Sequence, residues 1–140
     1  MTSLDTIFGS FLSKISDYSL SLLNRSENEI YEILLEFYDS AIAFFPQCRK
    51  NLVPQKDTNM LSEELTVLEI EIISGLMLLE YLRPVLYRNE VLEQVLSDKD
   101  FRVNSQANHM NQLYNLFNKT KQEVSVYKVQ YSWEGNIYGK

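Results

Sequence analysis

A lone cysteine, Cys48, cannot close an internal disulfide. That fits a reducing compartment, or an assembly built inside a cell. The lone histidine, His109, leaves nucleophilic catalysis without the base and orienting partner it needs. It is expected as a surface or capping residue, and Cys48 as a buried or half-buried structural thiol. One His and one Cys cannot build a zinc site without several carboxylates. Asp98 and Asp100 stand two apart, but the glycine and distal glutamate of a calcium loop are missing, so the pair reads as turn chemistry. The four glycines, Gly9, Gly75, Gly135 and Gly139, are too scattered for a phosphate-binding loop. Long apolar runs are also absent. Ser74 and Gly75 interrupt the richest stretch, and Glu69, Glu71 and Glu80 flank it. A membrane span needs about 20 apolar residues, so no membrane association is expected. Residues 1–15 carry no basic start before an apolar run, and no secretory leader is expected. The sequons Asn24-Arg25-Ser26 and Asn118-Lys119-Thr120 carry no weight without one. No catalytic residue, cofactor site or metal site is read from the sequence, and the chain is expected not to be an enzyme.

What is present is ordinary globular material: 140 residues, 45% hydrophobic and 23% charged. A chain of that length buries enough surface to fold without disulfides or metals. Charge is unevenly placed. Residues 1–100 hold 8 basic and 17 acidic residues, a balance of −9. Residues 101–140 hold 5 and 2, a balance of +3. An acidic body repels phosphate backbones. A basic C-terminal part on such a body suggests head-to-tail complementarity between copies or an acidic partner, with chance scatter as the plain alternative.

Helical periodicity dominates. Leu4, Ile7, Phe8, Phe11, Leu12 and Ile15 predict a helix over 3–15. A polar linker follows. A capping box, Ser26 with Glu29, starts a second helix whose stripe is Ile30, Ile33, Leu34, Phe37, Ala41 and Phe44, and Pro46 ends it. Glu27, Glu29, Glu32, Glu36 and Asp39 form its solvated acidic face. Residues 47–62 read as a polar loop containing Pro54. A second capping box, Thr66 with Glu69, opens a helix to about Leu82 that is apolar on most sides and is therefore central in the fold or covered by another chain. Pro84 ends or kinks it, and a short helix over 89–96 follows. After a loop over 97–104, a long helix starts near Ser105, with Met110, Leu113, Tyr114, Phe117 and Val124 on one face.

Beyond Val124 the period changes. Tyr127, Val129, Tyr131 and Trp133 alternate with Lys128, Gln130 and Ser132, which reads as a strand. Glu134-Gly135-Asn136 reads as a turn, with Ile137 and Tyr138 returning. The expected architecture is mainly α: a bundle of about four to five helices over residues 1–124, with a C-terminal β-strand or hairpin tail over 125–140. A lone strand lacks partners for its backbone, so the tail is expected to pair with another chain, Tyr127, Val129, Tyr131, Trp133, Ile137 and Tyr138 forming the partner-binding set. A hairpin folded onto the protein's own helices stays open as the alternative.

The helical body carries the runs Leu96-Ser97-Asp98-Lys99-Asp100-Phe101 and Ser105-Gln106-Ala107-Asn108-His109, and an apolar helix ending Glu80-Tyr81-Leu82-Arg83-Pro84. With the long amphipathic helix and the tail, this pattern resembles the head–tail connector (neck adaptor) proteins of tailed bacteriophages, over roughly residues 4–125. The resemblance implies a virion structural protein, assembled in the host cytoplasm and placed at the head–tail interface. It implies a homo-oligomeric ring, commonly of twelve copies (a dodecamer), beneath the portal protein. The C-terminal segment would grip the portal, the ring would offer a docking surface to the adjacent neck or tail protein, and DNA would pass through the channel without specific binding. The competing reading is a small helical regulatory or chaperone-like module that binds proteins.

Overall fold

The computed structural model describes residues 2–15, 27–56, 58–96 and 103–137. Four helices and one two-stranded antiparallel sheet are present among them: β1 (Thr2–Ser3), α1 (Leu4–Lys14), α2 (Glu27–Ala43), β2 (Met60–Leu61), α3 (Val67–Leu96) and α4 (Val103–Ile137). No helix among the described residues is long and apolar enough to cross a membrane.

Helix α1 begins where Ser3 caps it, its hydroxyl accepting from the Asp5 amide at 3.2 Å. Of its predicted stripe, Leu4, Ile7, Phe8, Phe11 and Ile15 are buried, while Leu12 is exposed. In α2, Leu34, Tyr38 and Ala41 face the core, while Glu29, Glu32, Glu36 and Asp39 are exposed. Residues 72–79 of α3 are all buried. This helix packs against α1, α2 and α4, so it is the central element that its all-round apolar character predicts. Gly75 permits the α3–α4 crossing, because a Cβ there would lie 2.6 Å from Val124 Cγ2.

Three expectations need correction. First, of the end or kink expected at Pro84, the end does not occur: α3 continues to Leu96 and absorbs the expected short helix. Pro84 is exposed, so its ring meets no packed neighbour, and the cost is the missing donor to the Glu80 carbonyl. Second, residues 47–62 are not merely a polar loop. Leu52 and Leu61 are buried, and β2 pairs with β1 in the register Thr2↔Leu61 and Ser3↔Met60. The Thr2 hydroxyl accepts from the Leu65 amide at 2.8 Å, the Leu4 amide donates to the Asn59 carbonyl at 3.1 Å, and the Tyr38 hydroxyl donates to the Leu52 carbonyl. The connection is thereby strapped across the start of α1.

Third, there is no β tail in residues 125–137. Helix α4 runs unbroken for 35 residues, from Val103 to Ile137, so the division at residue 124 falls inside one helix. The physical reason is a second periodicity hidden in the first. Thr120, Val124, Tyr127 and Tyr131 are spaced by four, three and four, which is a helical stripe, and all four turn toward the body as buried or half-buried residues. The alternation of Tyr127, Val129, Tyr131 and Trp133 is equally two i,i+4 pairs on opposite helix faces. Packing against α3 selects the helix. The Ser26 cap, the Asp98/Asp100 pair and Tyr138 lie outside the described residues, as do the side chains of His109 and Ile137.

Candidate functional site

The inner face of α4 ends on a buried polar cluster. It begins at the capping box at the start of α3. The Thr66 hydroxyl accepts from the Glu69 amide at 3.2 Å, and Glu69 Oε1 accepts from the Thr66 amide at 2.8 Å. This is the reciprocal pair that the sequence predicts. Glu69, however, is 1% exposed and does more than cap. Lys50 Nζ donates to the same Oε1 at 2.8 Å. The Tyr131 hydroxyl, 62 residues away in the chain, donates to Oε2 at 2.7 Å. Cys48 Sγ approaches Oε2 and the Tyr131 hydroxyl at 3.8 Å each.

Tyr131 is gripped from both sides. Its hydroxyl accepts from the Arg49 amide at 2.9 Å, and Arg49 Nη1 donates to the Tyr131 carbonyl at 2.9 Å. The guanidinium carbon lies 3.8 Å from the ring centroid, and Phe45 meets the ring edge-on at 5.2 Å. Lys128, one turn earlier, donates to the Phe44 carbonyl. The segment from Phe44 to Lys50 therefore clasps the C-terminal third of α4.

The electrostatics follow from this packing. Burial alone would raise the Glu69 carboxyl, but the bonds from Lys50, the Thr66 amide and Tyr131 outweigh it and hold the group below its ordinary value. Burial, reinforced by donation to Glu69, pushes the Tyr131 phenol far up. Burial also raises the Cys48 thiol, which keeps it protonated and weakly nucleophilic. A saturated carboxylate with 1% exposure cannot reach a substrate in solvent. The cluster has the geometry of a latch that fixes α4 to the body. Among the described residues no group of three or more His, Cys, Asp or Glu is placed to hold a metal ion.

Among the described side chains, the partner-binding residues expected from sequence divide between two faces of α4. Tyr131 is 2% exposed and belongs to the latch. Tyr127 is half-buried against the core and lines a small cleft with Gly75 and Val124. Val129 and Trp133, 59% and 63% exposed, point outward with Val126. At 100° per residue, Val126, Val129 and Trp133 fall within one narrow sector of α4, opposite Val124, Tyr127 and Tyr131. Sequence reasoning missed Lys50, Arg49 and the second role of Glu69. The available signal was the placement of Glu69 in the first turn of a helix that is apolar on most sides, where a carboxylate turned inward must find partners.

No family model matches the chain, and neither a curated protein nor a solved structure was found to be similar to it.

Proposed function

We propose that this chain is a structural subunit of a tailed-phage neck: a copy in a ring beneath the portal protein, joining the DNA-filled head to the next neck or tail component. The observation that carries the reading is the outward apolar stripe of Val126, Val129 and Trp133, on a helix whose opposite face is latched to the body. Three large apolar side chains held in water at helical spacing mark a protein-docking face, and tryptophan is a frequent anchor of such contacts. The rigid latch presents them without an ordering cost at the moment of binding. The resemblance over Leu96–Phe101, Ser105–His109 and Glu80–Pro84 supplies the identity of the assembly. Docking on the portal in this reading uses a helix face, with the residues after it, in place of an added strand. The net charge of −6 suits a channel through which DNA passes without sticking.

The test is the triple variant Val126→Ser, Val129→Ser and Trp133→Ser in a phage that encodes the chain. All three residues are exposed, so the helical spectrum and unfolding midpoint should stay close to wild type. Filled heads without tails are the expected product. Tailed, infectious particles carrying the variant would overturn the reading. Mass spectrometry of wild-type particles separates the regulatory alternative, which requires the chain to be absent from them.

A further inference from the structure

A second surface on the same helix lies above the apolar stripe. The outward face of α4 between Asn115 and Val126 forms a shallow open groove. Lys119 and Lys121 stand at its edges, with Asn118, Gln122 and Ser125 between them. All five are exposed. Lys119 makes one loose ion pair, with Glu123 at 4.0 Å, and Lys121 makes none with a described residue. The groove is therefore cationic and rich in amide donors, on a chain whose net charge is −6.

The complement stands on α2. Glu32, Glu36 and Asp39 are spaced by four and three, so they form one ridge, and all are exposed. None of them forms an ion pair with a described residue. The ridge spans about 10 Å at 1.5 Å per residue, and the groove spans about 16 Å, so the ridge fits within it. Carboxylates accept from ammonium and amide donors, which is the chemistry that the groove offers.

We infer that the acidic ridge of one copy docks in the α4 groove of a second copy. Resting on the ring reading above, this names the subunit contact. A pair joined by one such contact keeps one unused groove on the first copy and one unused ridge on the second, so the contact is head-to-tail, and it closes into a ring where the rotation between neighbours divides a full turn. The groove sits beside the stripe of Val126, Val129 and Trp133, which leaves Val129 and Trp133 for the portal or the next neck protein.

The test uses two full-length charge-reversed proteins, Lys119→Glu/Lys121→Glu and Glu32→Lys/Glu36→Lys, and sedimentation velocity over a concentration series. The wild type should self-associate in low salt and dissociate as salt rises. Each variant alone should keep its helical spectrum while its self-association weakens by more than about tenfold, because like charges now face each other. An equimolar mixture should assemble again, since each variant supplies the charge that the other lacks. A wild type that stays monomeric throughout, variants that assemble as it does, or a mixture that stays dissociated would each overturn the inference. Detection of the chain in purified particles decides the ring reading separately.

Discussion

Replacing Tyr131 by Phe removes one oxygen and leaves the ring in place. The ring keeps its edge-on contact with Phe45 and its stacking under Arg49. Two hydrogen bonds are lost: the one to Glu69 Oε2 at 2.7 Å and the one from the Arg49 amide at 2.9 Å. A bond to a charged acceptor contributes about 1.5–3 kcal/mol, and Glu69 has almost no solvent with which to replace it. The amide is nearer the surface and adds at most about 1 kcal/mol. A loss of about 2–3 kcal/mol follows, which for a chain of this size lowers Tm by roughly 6–15 °C. Urea unfolding followed by circular dichroism measures it. Tyr127→Phe is the control, because the Tyr127 hydroxyl forms no such bond, and it should change stability by less than about 0.5 kcal/mol. In a double-mutant cycle, Tyr131→Phe and Glu69→Gln should couple by more than about 1 kcal/mol. A Tyr131→Phe protein within about 0.5 kcal/mol of wild type, or strict additivity in the cycle, would refute the latch.

Other perturbations probe the same framework. Gly75→Ala pushes a methyl to 2.6 Å from Val124 Cγ2 and should cost about 1–3 kcal/mol, with Val124→Ala in the same chain recovering part of it in thermal unfolding. Pro84→Ala restores a donor to the Glu80 carbonyl inside α3 and should raise Tm, with a gain of up to about 3 kcal/mol. The Glu69 carboxyl is held below its ordinary 4.5 in the folded state. The unfolded chain therefore takes up its proton first as pH falls. The stability from this group is complete above that ordinary value and is lost as pH falls through the folded value. Glu69→Gln should remove that segment from the pH dependence of the unfolding free energy, leaving a flatter acid limb.

The first two helices and the first half of the third were legible in the sequence because their stripes are local. Leu4 to Ile15 repeats with one period, and the run after Thr66, apolar on most sides, had to be covered, which α1, α2 and α4 do. The capping box was legible for the same reason, since both of its bonds lie within one turn. The end of α4 was not. Its aromatic and β-branched residues satisfy both a period of two and an i,i+4 spacing, and only contact with α3 separates the two. The bond that anchors it joins Tyr131 to Glu69, and no local pattern encodes a contact across that separation. The strap through residues 52–65 was missed because isolated buried leucines and a two-residue strand make no period. Of the residues assigned to partner binding, Val129 and Trp133 are exposed, Tyr127 is half-buried, and Tyr131 is buried in the latch.

Imaging native particles by electron cryomicroscopy tests the central claim most directly. The expected result is a closed ring of this chain between portal and tail, with Trp133 turned toward a neighbouring protein and Tyr131 turned into its own subunit. Particles whose neck contains no density for this chain would contradict it.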